Sequence, residues 1–172
     1  LIKHEEYPYA LPNFDSTKWV YLSSLGGNSA EFHETVLRYF ESHPEIKVAF
    51  QPGTFQMKMG IESLKKMYER TEVFICNKQE YQRVLKKPDE HDVKALMAAM
   101  HEQGPKIAVL TDGPAGAYAS NGSTMYFMPS YPDPKPPYER TGAGDAFSST
   151  LVVALALGKS LEDALRWAPI NS

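Results

Sequence analysis

The sequence predicts an α/β domain built on a parallel sheet, and three observations carry that prediction. Four short runs, Trp19–Leu22, Lys47–Phe50, Glu72–Cys76 and Lys106–Leu110, are β-rich and nearly continuous in apolar character, as strands covered on both faces are. Stretches of helical character alternate with them, at Ala30–Ser42, Gly60–Arg70, Lys78–Lys86 and His91–Glu102. Strand, helix, strand, helix implies right-handed βαβ units. Thirdly, small or polar residues follow each apolar run at once, so all four strands end at one rim.

Taken in order, residues 1–16 are rich in aromatics and proline without a clear period, and are expected to be irregular. The helix at 30–42 shows Phe32, Val36, Leu37 and Phe40 at helical spacing, and that at 91–102 shows Val93, Leu96, Met97 and Met100. After Leu110 the rhythm changes. Gly113 and Gly116 bracket a turn, and Ala117–Ser120 and Thr124–Met128 flank Asn121-Gly122, a good hairpin turn. Pro129–Pro137 holds five of the 13 prolines and reads as an extended loop. Helices are then expected over Ala143–Leu157 and Leu161–Trp167.

Composition sets the outer bounds. The chain has 172 residues, 42% of them hydrophobic and 23% charged, which suits one folded domain with a sizeable core. A net charge of −3 leaves no electrostatic footprint for nucleic acid or an anionic membrane, so neither is expected as a partner. The longest apolar run, Leu151–Leu157, falls far short of the roughly 20 residues that span a bilayer. Cys76, the single cysteine, cannot form an internal disulfide, so a reducing, cytoplasmic setting is the expectation.

The strand-end residues are Ser23–Gly27, Gln51–Thr54, Asn77 with Glu80, and Thr111–Gly113. In an open parallel sheet, ligands bind beyond the carboxyl ends of the strands. Any one of these segments reads equally well as an ordinary turn; their coincidence with the next motif shifts the balance. That motif is Thr141-Gly-Ala-Gly-Asp-Ala-Phe147, which enters an apolar helix. Without side chains at Gly142 and Gly144, an anion can approach the backbone, where the first N–H groups of a helix lack internal partners. By itself the turn is evenly balanced between an anion site and a simple helix start, with Asp145 complementing the dipole.

Other signatures fail. Gly158-Lys159-Ser160 resembles the end of a P-loop, but the required earlier glycine position holds Val153. A dinucleotide fingerprint at Gly142-Ala-Gly144 fails at Phe147. His4, His33, His43, His91 and His101 lack metal-ligand spacing and are expected at the surface. Any metal should be a hard cation held by phosphate and carboxylate.

Thr141–Phe147 resembles the signature of the PfkB, or ribokinase-like, carbohydrate kinases. Asn77-Lys-Gln-Glu80 is similar to that family's N-x-x-E motif, Thr111-Asp-Gly113 with Gly116 to its T-x-G nucleotide segment, and Gln51-Pro-Gly-Thr54 to a strand end near the phosphates. The resemblance runs from about Trp19 to Asn171. It implies a ribokinase-like, doubly wound, mostly parallel sheet with helices on both faces, forming one domain over residues 1–172. It also implies ATP- and Mg2+-dependent phosphorylation of a small sugar or sugar-like alcohol. Asp145 would be the catalytic base, and the backbone of Gly142, Ala143 and Gly144 the anion hole. Asn77, Glu80, Thr111, Asp112, Gly113, Gly116 and Asn171 would contact the nucleotide, Glu80 also acting indirectly on the metal.

Departures qualify this picture. Glu139-Arg140 stands where the family has Asp-Thr, which argues against a monovalent cation. The family's sugar-contacting segment and β-lid would precede Leu1, and a further helix would follow Ser172. The chain therefore reads as a portion truncated at both ends and not active by itself. A homodimer of the full-length protein stays open. Alternatives are a nucleotide-binding module without catalysis, such as a degenerate kinase, and a structural domain without nucleotide affinity.

Overall fold

The computed structural model describes residues 8–132 and 141–171. Six strands lie side by side in chain order: β1 (Trp19–Leu22), β2 (Lys47–Phe50), β3 (Val73–Asn77), β4 (Ile107–Thr111), β5 (Ala117–Ser120) and β6 (Met125–Met128). The first four are parallel, and β4, β5 and β6 pair antiparallel. Strictly sequential order has a geometric consequence. Right-handed crossovers that each step to the next strand put their helices on one face. Accordingly α1 (Ala30–Ser42), α2 (Thr54–Arg70), α3 (Lys78–Val84) and α4 (Val93–His101) share a core. The opposite face is covered by α5 (Ala143–Ala156) and α6 (Leu161–Trp167), which follow the hairpin. The expected mostly parallel sheet with helices on both faces is thus present, its second layer supplied by elements outside the βαβ units.

Strand alternation sorts the residues between the layers. Leu22, Val48, Phe50, Phe74, Cys76 and Leu110 face α1–α4; Tyr21, Ala49, Val73, Ile75 and Val109 face α5 and α6. The first core is aromatic. Phe74 lies 6.2 Å from Phe50, 5.6 Å from Tyr68 and 5.3 Å from Tyr81, ring centroid to centroid. The second is built on small residues, among them Ala49, Ala117, Ala119, Ala154, Ala164 and Ala168.

Element boundaries hold closely at α1, α6 and the hairpin. Asn121 stabilises the hairpin turn by accepting from the N–H groups of Ser123 and Thr124 at 3.1 and 2.9 Å. At α2 the helix begins six residues before the expected Gly60. Gly60, at φ 80°, separates two helical stretches, and the first is anchored by Gln56, which accepts from Gly53 N–H and donates to Ser23 O. Lys86, at φ 55°, ends α3 early by turning the chain out. Of the irregular segment 1–16, residues 8–16 are described and contain no helix or strand; Phe14 packs on Tyr39 at 5.1 Å. The proline-rich loop beyond Pro132, Glu139-Arg140 and His4 lie outside the described residues.

One expectation is corrected. His33 is not at the surface but 3% exposed between α1 and α2. Its Nδ1 is 2.7 Å from Ser29 O, whereas Nε2 has no partner. The neutral ring donates from Nδ1 and keeps its bare nitrogen among apolar neighbours, and burial accordingly lowers its pKa. Helical spacing explains the placement: His33 precedes Val36 and Phe40 by three and seven positions, on the buried stripe. His43 and His101 are half-buried, and His101 bridges Pro105 O and Ser120 Oγ at 2.9 and 3.0 Å. No helix among the described residues is long and apolar enough to cross a membrane.

Candidate active site

Strand parity builds the site. Two residues beyond Tyr21, Ala49, Ile75 and Val109, on the same sheet face, come Ser23, Gln51, Asn77 and Thr111. That is the α5 face, and α5 begins where it meets the carboxyl rim. Gln51, Asn77 and Thr111 line a cavity of about 190 Å3 with Glu80, Gly142, Gly144, Asp145 and Ser148. The sequence-predicted carboxylate, glycine turn and strand ends are therefore brought together.

Gly142 caps α5 at φ 85° and ψ −7°, a left-handed conformation that a side chain would strain. The first helical bond runs from Ala146 N–H to Gly142 O at 2.9 Å, so the N–H groups of Ala143, Gly144 and Asp145 precede the helical ladder. A Cβ built at Gly144 would meet nothing within 4 Å, because it would stand in the open cavity. The backbone here is bare toward the space in which an anion would sit.

A second cavity of about 220 Å3 adjoins the first, with Thr111 and Gly144 lining both. Gly113, Gly116 and Ala143 line it too, and its floor is apolar: Ala117, Met128, Phe147 and Pro169. No Lys or Arg among the described residues lines either cavity, and the positive end of the α5 dipole faces the polar one.

Asn77 and Glu80 turn out to share a local task. Asn77 Oδ1 accepts from Glu80 N–H at 2.9 Å, and Glu80 Oε2 accepts from Asn77 N–H at 3.0 Å. This is a capping box, and it fixes both side chains at the start of α3 with Glu80 lining the cavity. A hard cation fits the oxygen donors here, Glu80, Asp145, Asn77 and Thr111. Among the described residues, no group of three or more His, Cys, Asp or Glu is placed to hold a metal ion.

Two expected contacts are not brought to the cavities. Asp112, one residue past Thr111, has the opposite parity and pairs with Lys78 of α3 at 3.2 Å. Asn171 donates to Thr150 Oγ1 at 3.1 Å, while Pro169, two residues earlier, lines the apolar floor. Conversely, Tyr21 and Ser148 emerge as members of the site. Burial, reinforced by the charge of Asp145, pushes the Tyr21 phenol above its ordinary pKa, while hydrogen bonding with Ser148 and Ser23 partly offsets this. Both were findable: Ser148 is three residues from Asp145 on one helix face, and Tyr21 shares parity with Ser23.

A mostly parallel sheet whose strand ends converge on a glycine-opened helix defines an α/β protein with its candidate site at the carboxyl rim. More particularly, the chain belongs to the pfkB family of carbohydrate kinases, whose profile matches residues 2–169. It is 37% identical to a ribokinase of Bacillus subtilis over 86 residues, covering 47% of this chain and 29% of that one. With a cytidine kinase of Thermococcus kodakarensis the identity is 31% over 104 residues, covering 60% and 36%. The structure of an Arabidopsis thaliana ribokinase complexed with ribose and ATP superposes with a TM-score of 0.74 at 21% identity, covering 88% of this chain and 47% of that one. The ribokinase-like fold is thereby shown. The chain spans about half the length of that structure, and about a third of these two relatives.

Proposed function

We propose that this chain is the nucleotide-binding, catalytic portion of a kinase that transfers the γ-phosphoryl group of ATP to a hydroxyl of a sugar or nucleoside. One observation carries the reading: Gly144 and Thr111 form a common wall between an apolar cavity and a polar one that holds a carboxylate. A nucleotide seated with its base over Met128, Phe147 and Pro169 would lay its phosphates across the start of α5. The N–H groups at Ala143 and Gly144 would then meet the transferring phosphoryl oxygens, and Asp145 would take the proton from the acceptor hydroxyl. Phosphoryl transfer suits such a site because its loose transition state asks chiefly for positioning and charge stabilisation. Magnesium, when bound, would neutralise phosphate charge, with Glu80 and Asn77 approaching it through the carboxylate and amide that the capping box holds in place. The relatives named ribokinase and cytidine kinase support an acceptor that is a sugar or a nucleoside.

In the full-length enzyme, Asp145→Asn should lower kcat at least about 10²-fold, the usual worth of a placed acid–base group, while ATP affinity stays within about twofold. Turnover with a panel of sugars and nucleosides, together with calorimetric titration of MgATP, checks both. Near-normal kcat in the variant would contradict the role. Tight MgATP binding by the wild type without turnover on any acceptor would instead favour a nucleotide-binding module.

A further inference from the structure

Behind the carboxylate of Asp145 stands a second layer of polar groups. Tyr21 of β1 lies opposite Ala49 of β2, and Gln51 is two residues past Ala49 on that face, so both side chains reach toward α5. Gln51 Nε2 donates to Asp145 Oδ1 at 3.0 Å. The other end of the same amide, Oε1, accepts from the Tyr21 hydroxyl. Ser148, which lines the same cavity as Gln51 and Asp145, donates from its hydroxyl to Gly144 O at 2.7 Å.

The direction of each bond in this chain is determined by chemistry. An ionised carboxylate only accepts, so the NH2 end of Gln51 must face Asp145. Its carbonyl end then needs a donor, and the Tyr21 hydroxyl supplies one. Without that hydroxyl the amide loses the contact that fixes its orientation. With it, β1, β2 and α5 are tied together at the Asp145 carboxylate.

We infer that Gln51 and Tyr21 are positioning residues for Asp145, holding Oδ1 in the Tyr21–Gln51 relay so that Oδ2 is the oxygen presented to the acceptor hydroxyl. This rests on the kinase reading for its consequence, though not for its geometry. A reacting group misplaced by about 1 Å costs up to about 10²-fold in rate, so the relay matters to kcat rather than to nucleotide binding.

The test uses Tyr21→Phe, Gln51→Met and Asp145→Asn, singly and in pairs, in the full-length enzyme, with melting curves to confirm folding. Tyr21→Phe and Gln51→Met should each lower kcat about 10-fold or more with KM for ATP unchanged. The Tyr21→Phe/Gln51→Met pair should be no slower than Gln51→Met, and neither change should slow Asp145→Asn further, because all act through one group. Losses that persist undiminished on the Asp145→Asn background would overturn the relay. So would a raised KM for ATP with kcat intact. A second arm needs no turnover: the Gln51 side-chain amide resonances should move on Asp145→Asn and on Tyr21→Phe, and unmoved resonances would overturn the inference. A wild type with no turnover but with those resonances linked would count against the kinase reading while supporting the relay.

Discussion

The two faces of the sheet are made from the same strands yet do opposite jobs. Toward α1–α4 the strands send Phe50, Phe74 and Leu110, which meet Phe40, Met67, Tyr68 and Tyr81 in a core of large, fully buried side chains. Toward α5 and α6 they send Ala49, Val73, Val109, Ala117 and Ala119, against Ala154, Ala164 and Ala168. Large aromatic side chains bury the most area and hold the strands in register, each contributing about 1.5–3 kcal/mol. Small ones let a helix approach closely, and here that approach sets Gly142–Asp145 against the strand ends. One face is scaffold; the other is a seat for α5.

Substitutions on the two faces should therefore fail differently. Phe74→Ala, at the centre of the aromatic cluster, should destabilise the protein by about 3–5 kcal/mol, read from denaturant midpoints. The fraction still folded should bind MgATP as the wild type does. Loss of affinity out of proportion to the unfolded fraction would break the division between faces. Ala154→Leu inserts bulk beneath α5 and should cost about 1–3 kcal/mol, less than Phe74→Ala. It should nevertheless weaken MgATP binding in the folded protein, because α5 is pushed off the sheet; unchanged affinity would show that the seat tolerates bulk.

The smallest effect concerns His33, a polar exception on the scaffold face. Its folded-state pKa is lowered by burial, so the unfolded chain binds the proton more readily. Stability should therefore be undiminished above the unfolded value of about 6.5 and fall as pH drops below it toward the folded value. His33→Leu should flatten that part of the stability–pH curve in urea titrations between about pH 7 and pH 5. A curve of unchanged slope would place the dependence elsewhere.

Much of this division was legible in the sequence, for definite reasons. Continuous apolar runs marked the buried strands, and Asn121-Gly122 marked the hairpin, because both depend on local chemistry. The gathering of Gln51, Asn77, Thr111 and Asp145 in one cavity was legible as a shared rim, and their parity with Tyr21, Ala49, Ile75 and Val109 sharpens it to one face. Asp112 follows Thr111 at the same rim but pairs with Lys78 of α3, because alternation sends adjacent strand-end residues to opposite faces. The early start of α2 was hidden because Gly60 interrupts it, and helical periodicity across a φ of 80° does not carry through. Likewise His33 was assigned to the surface by residue type, though its spacing from Val36 and Phe40 put it on the buried stripe.

A phosphate-bearing ligand should lodge on the bare backbone where α5 meets the strand ends, and amide chemical-shift mapping with MgATP would locate it. The largest perturbations are predicted at Ala143, Gly144 and Asp145, with Thr111, Gly113 and Gly116 next. Saturating nucleotide that leaves those amides unmoved, or shifts concentrated around the α1–α2 face instead, would contradict it.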